Sequence, residues 1–241
     1  MIKLFICGIS GRLGSSIVDE VKKASNISLI GGLLSGREDS SNKNLSSQGF
    51  QIISDLNDLT DADVVIDCST SLDLIKIKEK CELIGASLIV ASTGKGDFRE
   101  IFNNKSLSIP VLAVPNLSIG IAFLSNLLNY VSEKKLPLKR INIEETHHNE
   151  KIDTPSGTAL MLKKELIELF NVDEIEIISN RDESSVGTHK INIYLEDEIL
   201  SLEHKALDRK AFALGALNLI EWIHRKSPGI YSVQDLSLIH I

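Results

Sequence analysis

The first half of the chain alternates short apolar runs with stretches that suit helices. The apolar runs cover residues 2–7, 28–34, 63–68, 87–91 and 111–114, and their length and composition are typical of buried strands. Helical stretches lie between several of them, and the first reaches about Ala24 with Ile17, Val18 and Val21 on one face. This alternation predicts an α/β domain built on a doubly wound parallel sheet. Such a sheet binds its ligand beyond the carboxyl ends of its strands.

The pattern changes in the second half of the chain. A helical segment runs from Ile119 to about Glu133, and strand-like runs follow over residues 141–146, 175–179, 190–195 and 199–203. A helical run over residues 158–170 interrupts these strands. The second half therefore predicts an α+β domain with a mixed or antiparallel sheet.

A glycine-rich loop directly follows the first predicted strand. It reads Gly8-Ile9-Ser10-Gly11-Arg12-Leu13-Gly14. In a Rossmann-like fold Gly8 serves the tight turn, Gly11 lets the backbone approach a pyrophosphate, and Gly14 lets the helix pack against the sheet. The loop predicts a dinucleotide site, and the alternative is a structural turn that binds nothing. Three further loops at strand ends are expected to converge on it: residues 67–70, 91–94 and 114–117.

The end of the second predicted strand bears on the choice of dinucleotide. A site for NADH usually has a carboxylate there, but this chain has Ser35 and Arg37, which suit the 2′-phosphate of NADPH. Glu38 follows at once and could reach the ribose. The choice between NADH and NADPH therefore stays open.

The densest group of reactive side chains comes just after the first predicted strand of the second half. His147 and His148 exchange protons near neutral pH, and Lys151 adds a positive charge or a second proton source. Pro155 suits the first turn of a helix, and the turn Ser156-Gly157-Thr158 offers hydroxyls and free amides to an anion. The segment predicts a small acidic ligand. The plainer alternative is a solvated pair of histidines in a loop before an ordinary helix start.

Composition limits the partners and the compartment. The net charge of -7 and the pI near 5.4 argue against general binding to nucleic acids or anionic membranes. The cysteines, Cys7, Cys68 and Cys81, lie in or beside predicted buried elements, which favours reduced core thiols. The sequence shows no secretory signal and no apolar run long enough to span a bilayer. We therefore expect a cytoplasmic protein.

The histidines also raise the question of a metal. His189 and His204 together with the pair His147–His148 form a conceivable zinc site, yet adjacent histidines rarely ligate one metal. No cysteine or carboxylate is spaced to complete the shell, so no metal is expected. Arg209 follows an expected N-cap, Asp208, and is read as a solvated helix residue.

Together these motifs resemble the dihydrodipicolinate reductases (4-hydroxy-tetrahydrodipicolinate reductases) of bacterial lysine and diaminopimelate synthesis. The most specific part is Glu145-x-His147-His148-x-x-Lys151-x-Asp153-x-Pro155-Ser156-Gly157-Thr158-Ala159. The glycine loop with Arg12, the turn Ser92-Thr93-Gly94 and the segment Pro115-Asn116-Leu117-Ser118 match further family segments. The resemblance therefore runs nearly end to end.

This resemblance implies a division of labour between two domains. Residues 1–117 and 207–241 would bind NADPH or NADH, and residues 118–206 would bind a cyclic imine dicarboxylate and form the contacts of a homotetramer. The implied reaction reduces 4-hydroxy-tetrahydrodipicolinate (dihydrodipicolinate) to tetrahydrodipicolinate. A hydride passes from the nicotinamide to the ring, and protonation completes the reduction.

The resemblance also implies roles for individual residues. His147 is the implied proton donor, and Lys151 supplies a second proton or steadies the developing negative charge. The substrate carboxylates would contact His148, Ser156, Gly157 and Thr158. The implied cofactor contacts are Gly8, Ile9, Ser10, Gly11, Arg12, Leu13, Ser35, Arg37, Ala91, Ser92, Thr93, Val114, Pro115, Asn116 and Leu117.

Two departures from the family pattern leave alternatives open. Ala91 adds a methyl group where the family often has glycine, and the last residues of the chain differ from the family's ending. One alternative is a dinucleotide-binding sensor that lacks the chemistry. Another is an NAD(P)-dependent dehydrogenase of a different amino or imino acid. The intact group His147, His148 and Lys151 favours the reductase, because a sensor needs no proton donor.

Overall fold

The computed structural model describes residues 1–34, 49–69, 71–92, 101–102, 107–232 and 235 of the 241-residue chain. They fall into two compact units. The first comprises the described residues of Met1–Leu117 and Phe212–Asp235, and the second comprises Ser118–Ala211. Each unit is built around a sheet of its own.

The first unit contains a seven-stranded sheet whose paired strands are all parallel. The strands are β1 (Ile2–Cys7), β2 (Ile27–Leu33), β3 (Gln51–Ile53), β4 (Val64–Asp67), β5 (Ser87–Val90), β6 (Pro110–Ala113) and β11 (Gly229–Tyr231). Their order is β11-β6-β5-β4-β1-β2-β3. This confirms the predicted Rossmann-like sheet. The hydrophobic pattern did not predict β3 and β11, because each has only three residues.

Two described helices follow strands of this sheet. Helix α1 (Arg12–Val21) buries the predicted apolar face that includes Ile17 and Val18. Helix α2 (Leu74–Ile84) begins at Asp73, whose side chain accepts hydrogen bonds from the Ile75 and Lys76 amides. It ends at Gly85, which has a φ of 74° and so takes a conformation that favours glycine.

The second unit contains a four-stranded mixed sheet. Its strands are β7 (Arg140–His148), β8 (Glu176–Asp182), β9 (Gly187–Tyr194) and β10 (Ile199–Ala206), in the order β10-β9-β7-β8. Strands β7 and β8 are parallel, and the other two pairs are antiparallel. The predicted α+β organisation with a mixed sheet is confirmed. Strand β7 includes His147 and His148, so these residues end a strand and do not lie in a loop.

Helices α3 (Ile119–Ser132) and α4 (Gly157–Phe170) cover one face of this sheet, and α5 (Lys210–Ile223) follows its last strand. The sheet and the first two helices share an aliphatic core formed by Ile121, Leu124, Leu128, Ile141, Ile143, Leu162, Leu166, Ile175, Ile191 and Ile193. Ser156 is the N-cap of α4, so Pro155 precedes the cap and is not in the first turn. Among the described helices, none combines the length and the apolar character needed to cross a membrane.

Candidate active site

The glycine loop joins β1 to α1 in a tight turn. Gly8 has a φ of 80°, a conformation that other residues rarely adopt, and its carbonyl accepts a hydrogen bond from the Gly11 amide at 3.0 Å. A Cβ atom on Gly14 would lie 2.5 Å from the same carbonyl oxygen, so the helix starts in direct contact with the loop. Gly11 is the N-cap residue of α1 and has no side chain to occupy the first amides. The loop therefore fits an anion such as a pyrophosphate.

The carboxyl ends of four strands lie side by side in the first sheet. The parallel register pairs Cys7 with Asp67, Asp67 with Val90, and Val90 with Ala113. The loops that follow β1, β4, β5 and β6 therefore leave the sheet next to one another. This agrees with the predicted convergence of these loops.

Most of the predicted cofactor residues lie in or beside these loops. Those described are Gly8, Ile9, Ser10 and Gly11 after β1, Arg12 and Leu13 at the start of α1, Ala91 and Ser92 after β5, and Val114, Pro115, Asn116 and Leu117 after β6. Ser35, Arg37 and Thr93 lie outside the described residues, as does Thr70. The choice between NADH and NADPH therefore stays a prediction.

Asp67 ties two of the converging loops together. It is fully buried at the end of β4, where Oδ1 accepts from the Ser69 amide at 3.0 Å and from the Ser69 hydroxyl at 2.5 Å. Its Oδ2 accepts from the Ser92 hydroxyl at 3.1 Å. The carboxylate thus fixes the loop after β4 against the loop after β5. Sequence reasoning placed Asp67 in a polar loop but could not reveal this bridge, which depends on the pairing of β4 with β5.

His147 and His148 point to opposite faces of the second sheet, because successive residues of a strand alternate. They do not act as one pair. His147 shares a face with Glu145 on its own strand and with His189, whose ring lies edge-on with its centroid 5.1 Å away. The register places Glu145 opposite His189 on β9 and beside Ser179 on β8.

Glu145 is a fully buried carboxylate at the centre of this face. Its Oε1 accepts from the Ser156 amide at 2.9 Å and from the Ser179 hydroxyl at 2.7 Å. Its Oε2 lies 3.5 Å from His147 Nδ1 and 3.8 Å from His189 Nε2, and it has no hydrogen-bond partner among the described residues. Burial acts to raise the pKa of Glu145, but the hydrogen bonds from the two serines outweigh burial and lower the pKa. The carboxylate is therefore ionised.

Burial disfavours the charged form of both imidazoles that face Glu145. Burial lowers the pKa of His147, Glu145 opposes this effect, and the charges of Lys151 and Arg181 add to it. Burial also lowers the pKa of His189 to about 4. Of the two, His147 is the nearer to the ionised carboxylate.

His189 and His204 are neighbours across β9 and β10, and each contacts the start of a helix. His189 Nε2 lies 3.2 Å from Oγ of Ser156, the N-cap of α4. His204 Nε2 lies 3.0 Å from Oγ of Ser118, the N-cap of α3. A Cβ atom on Gly120 would lie only 2.5 Å from the His204 ring. Both histidines therefore hold helix starts against the sheet.

Lys151 binds a carboxylate from its own loop. Its Nζ donates to both carboxylate oxygens of Asp153 at 2.8 Å. Burial acts to raise the pKa of Asp153, but the hydrogen bond and charge of Lys151 lower it overall, with a contribution from the Gly157 amide. Lys151 thus holds one carboxylate just before the start of α4. Thr158 is half-buried, whereas Ser156 is buried and uses its amide and hydroxyl inside the protein.

On the other face of the sheet, His148 borders a cavity of about 620 Å³ within the second unit. Arg209 also lines the cavity, and its Nη2 lies 3.3 Å from His148 Nε2. The other lining residues are Asn149, Glu150, Glu183, Ser184, Ser185, Val186, Leu207 and Asp208. Arg209 is exposed, as expected, but it precedes α5, and the sequence did not reveal its contact with His148. The cavity lining combines this guanidinium and imidazole with the carboxylates of Glu150, Glu183 and Asp208.

Glu145, His147 and His189 also have the donor atoms of a metal site. One donor atom from each lies within 4.8 Å of the others, and no second group of this kind occurs in the part of the chain that the structure describes. Two imidazoles and one carboxylate are a known zinc ligand set. Sequence spacing did not suggest this group, because the pairing of β7 with β9 brings its members together. The expected absence of a metal stays a prediction.

Comparisons with known proteins cover both units. The family model described as "Dihydrodipicolinate reductase, N-terminus" matches residues 2–117, and the one described as "Dihydrodipicolinate reductase, C-terminus" matches residues 120–236. The 4-hydroxy-tetrahydrodipicolinate reductase of Rickettsia bellii is 32% identical over 98% of this chain and 94% of that protein. That of Buchnera aphidicola subsp. Cinara cedri is 31% identical over 97% of this chain and 96% of that protein.

Solved structures share the fold. A dipicolinate-bound dihydrodipicolinate reductase from Paenisporosarcina sp. TG-14 has a TM-score of 0.78 at 21% identity, covering 98% of this chain and 100% of that chain. A probable dehydrogenase from Thermotoga maritima has a TM-score of 0.67 at 11% identity, covering 97% of this chain and 92% of that chain. Because the two family models together span both units, the chain belongs to the dihydrodipicolinate reductase family.

Proposed function

We propose that the chain is an NAD(P)H-dependent 4-hydroxy-tetrahydrodipicolinate reductase that forms tetrahydrodipicolinate in the diaminopimelate route to lysine. The observation that carries the proposal is the contact between His147 and Glu145, in the same unit as a lysine that already binds a carboxylate just before a helix start. A proton-carrying imidazole and a carboxylate-binding turn are what reduction of an imine dicarboxylate requires. Family membership supplies the substrate class.

The first unit is assigned to the cofactor. The turn at Gly8 and the start of α1 at Gly11 suit its pyrophosphate, and the loops after β5 and β6 suit the nicotinamide half. When bound, NADPH or NADH supplies the hydride. The chain's own contribution is to hold these loops in place, and Asp67 does so through Ser69 and Ser92.

The second unit is assigned to the substrate. Asp153 is an internal example of a carboxylate bound by Lys151, and it supports a role for Lys151 in holding a substrate carboxylate. The same role is assigned to Gly157 and Thr158 by family resemblance. His148 lines the cavity on the other face with Arg209, and its role in binding the substrate is assigned by family resemblance. Ser156 is assigned a supporting role, because its polar atoms are already used inside the protein.

His147 is assigned the role of proton donor. Hydride addition to the ring leaves an electron pair that takes up one proton, and a protonated imidazole donates it and becomes neutral. Glu145 is the carboxylate next to His147 and stabilises the protonated form. Lys151 adds positive charge that steadies the developing anion.

The test is oxidation of NADH and of NADPH, followed by absorbance, with substrate generated in place by dihydrodipicolinate synthase. The wild type is compared with His147→Gln and with His224→Gln, which alters an exposed histidine of the first unit. We expect His147→Gln to lose about a hundred-fold or more in kcat and His224→Gln to retain wild-type turnover. A folded wild type that binds cofactor but does not oxidise it would refute the proposal and favour a sensor or another imino-acid dehydrogenase.

The assembly and the compartment belong to the same proposal. We assign residues 118–206 the contacts of a homotetramer and the protein a cytoplasmic location, both by family resemblance. Light scattering coupled to size-exclusion chromatography tests the tetramer, and a monomeric mass at working concentration would refute it.

A further inference from the structure

The two oxygens of the Glu145 carboxylate are in different situations. Oε1 accepts two hydrogen bonds, from the Ser156 amide and the Ser179 hydroxyl, whereas Oε2 has no hydrogen-bond partner among the described residues. An ionised oxygen that is buried without a donor is costly, so a donor is expected to approach it. Among the described histidine, lysine and arginine side chains, the nitrogens within 4.0 Å are His147 Nδ1 at 3.5 Å and His189 Nε2 at 3.8 Å.

His189 is held away from this oxygen. Its Nε2 lies closer to the Ser156 hydroxyl, at 3.2 Å, than to Glu145. His147 Nδ1 has no other hydrogen-bond partner among the described residues. A shift of about half an ångström would bring it within ordinary hydrogen-bond distance of Oε2. Glu145 Oε2, which needs a donor, therefore faces His147 Nδ1, which can act as one.

We propose that Glu145 is a positioning residue that holds the Nδ1–H of His147 and so leaves Nε2 as the atom that delivers the proton. The same carboxylate anchors the Ser156 amide, so it fixes the imidazole relative to the start of α4. In the structure His147 Nε2 faces Gly187, and a Cβ atom added to Gly187 would lie 3.1 Å from this nitrogen. The catalytic part of this proposal rests on the proposed reductase function, whereas the tautomer does not.

The charges around His147 support this role for Glu145. The charged and titratable groups that face it come from its own strand, the following loop and both neighbouring strands: Glu145, Lys151, Asp153, Arg181 and His189. Lys151 and Arg181 disfavour a charged imidazole, and Asp153 is already bound to Lys151. Glu145 is thus the carboxylate on which the protonated form of His147 depends.

The first experiment determines the tautomer of His147 in the wild type. The nitrogen NMR shifts of the His147 imidazole, assigned by comparison with His147→Gln, report which ring nitrogen carries the proton in the neutral form. We expect the Nδ1–H tautomer in the wild type. The Nε2–H tautomer would overturn the proposal whether or not the chain is a reductase.

The second experiment compares Glu145→Gln with Glu145→Asp and a matched control. In Glu145→Gln the amide oxygen still accepts from Ser156, but the amide nitrogen donates to His147 Nδ1 and favours the Nε2–H tautomer. Because the variant lacks the negative charge, the limb of the rate profile that falls with rising pH should move to lower pH. We expect kcat to fall about ten-fold to a hundred-fold with a smaller change in KM, and Glu145→Asp to recover part of it.

Glu165→Gln is the control, because Glu165 also accepts from a serine hydroxyl, that of Ser125, on a different part of the second unit. It should keep the wild-type pH profile. A folded Glu145→Gln with wild-type kcat and an unshifted profile would overturn the proposal. If the wild type itself shows no turnover, the reductase function fails, and the NMR result alone decides the role of Glu145.

Discussion

The buried imidazole of His189 makes the stability of the protein depend on pH. Its pKa is lowered by burial from the ordinary 6.5 to about 4 in the folded chain, while the unfolded chain keeps the ordinary value. Between these two values the unfolded state binds a proton that the folded state excludes, so stability falls as the pH falls through this window. Integrating this difference gives a loss of about 2 kcal/mol between about pH 7.5 and about pH 5.

His189→Gln removes this dependence. The glutamine amide replaces Nε2 as the partner of the Ser156 hydroxyl, and it does not titrate. We expect the free energy of unfolding of the wild type to fall by about 2 kcal/mol more than that of the variant over the same pH window. This difference does not depend on how much the substitution changes stability at a fixed pH. The assay is urea unfolding followed by far-UV circular dichroism at several pH values, with Trp222 fluorescence reporting on the first unit.

The control for this series is His224→Gln, which removes an exposed histidine. A plot of its free energy of unfolding against pH should run parallel to that of the wild type. If the His189→Gln curve also ran parallel to the wild type across the window, His189 would not be the buried neutral group described here, and the reasoning would be refuted.

Four further measurements follow from the geometry. Gly14→Ala places a Cβ atom 2.5 Å from the Gly8 carbonyl oxygen. We therefore expect the free energy of unfolding in urea to fall by about 1–3 kcal/mol and NADPH to bind at least ten-fold more weakly. An unchanged free energy and affinity would contradict the close packing of α1 on the loop. Gly120→Ala displaces the His204 ring and should lower Tm, by about 2–4 °C for each kcal/mol of unfolding free energy that the substitution costs. Dialysis against a chelator should leave turnover unchanged, and a loss restored by zinc would mark a metal site. Burial raises the pKa of Cys81 to about 12, so a thiol reagent should label it only on unfolding.

The first sheet could be predicted well because both faces of its central strands are buried. Strands such as β4 and β5 consist of consecutive buried residues, and such runs stand out in a sequence. The prediction that Pro155 lies in the first turn of α4 was wrong, because proline also occurs before the cap. Ser156 settles the point by capping the helix with its own side chain.

The candidate site was only partly visible in the sequence. The density of His147, His148 and Lys151 drew attention to the segment, but density does not reveal on which face a side chain lies. Glu145 and His189 meet because β7 and β9 are antiparallel neighbours in one particular register. Pairing between distant strands depends on the whole fold, so local spacing could not predict it.

The alternation of His147 and His148 makes the alignment of β7 a determinant of the chemistry. A slip of one residue against β8 and β9 would turn both imidazoles to the opposite faces. Because Glu145 would turn together with His147, His147 would lose its contact with His189, and His148 would lose its contact with Arg209. Insertions within β7 should therefore abolish activity even where the sheet still forms. Length changes in the loop after His148 would leave both rings on their own sides.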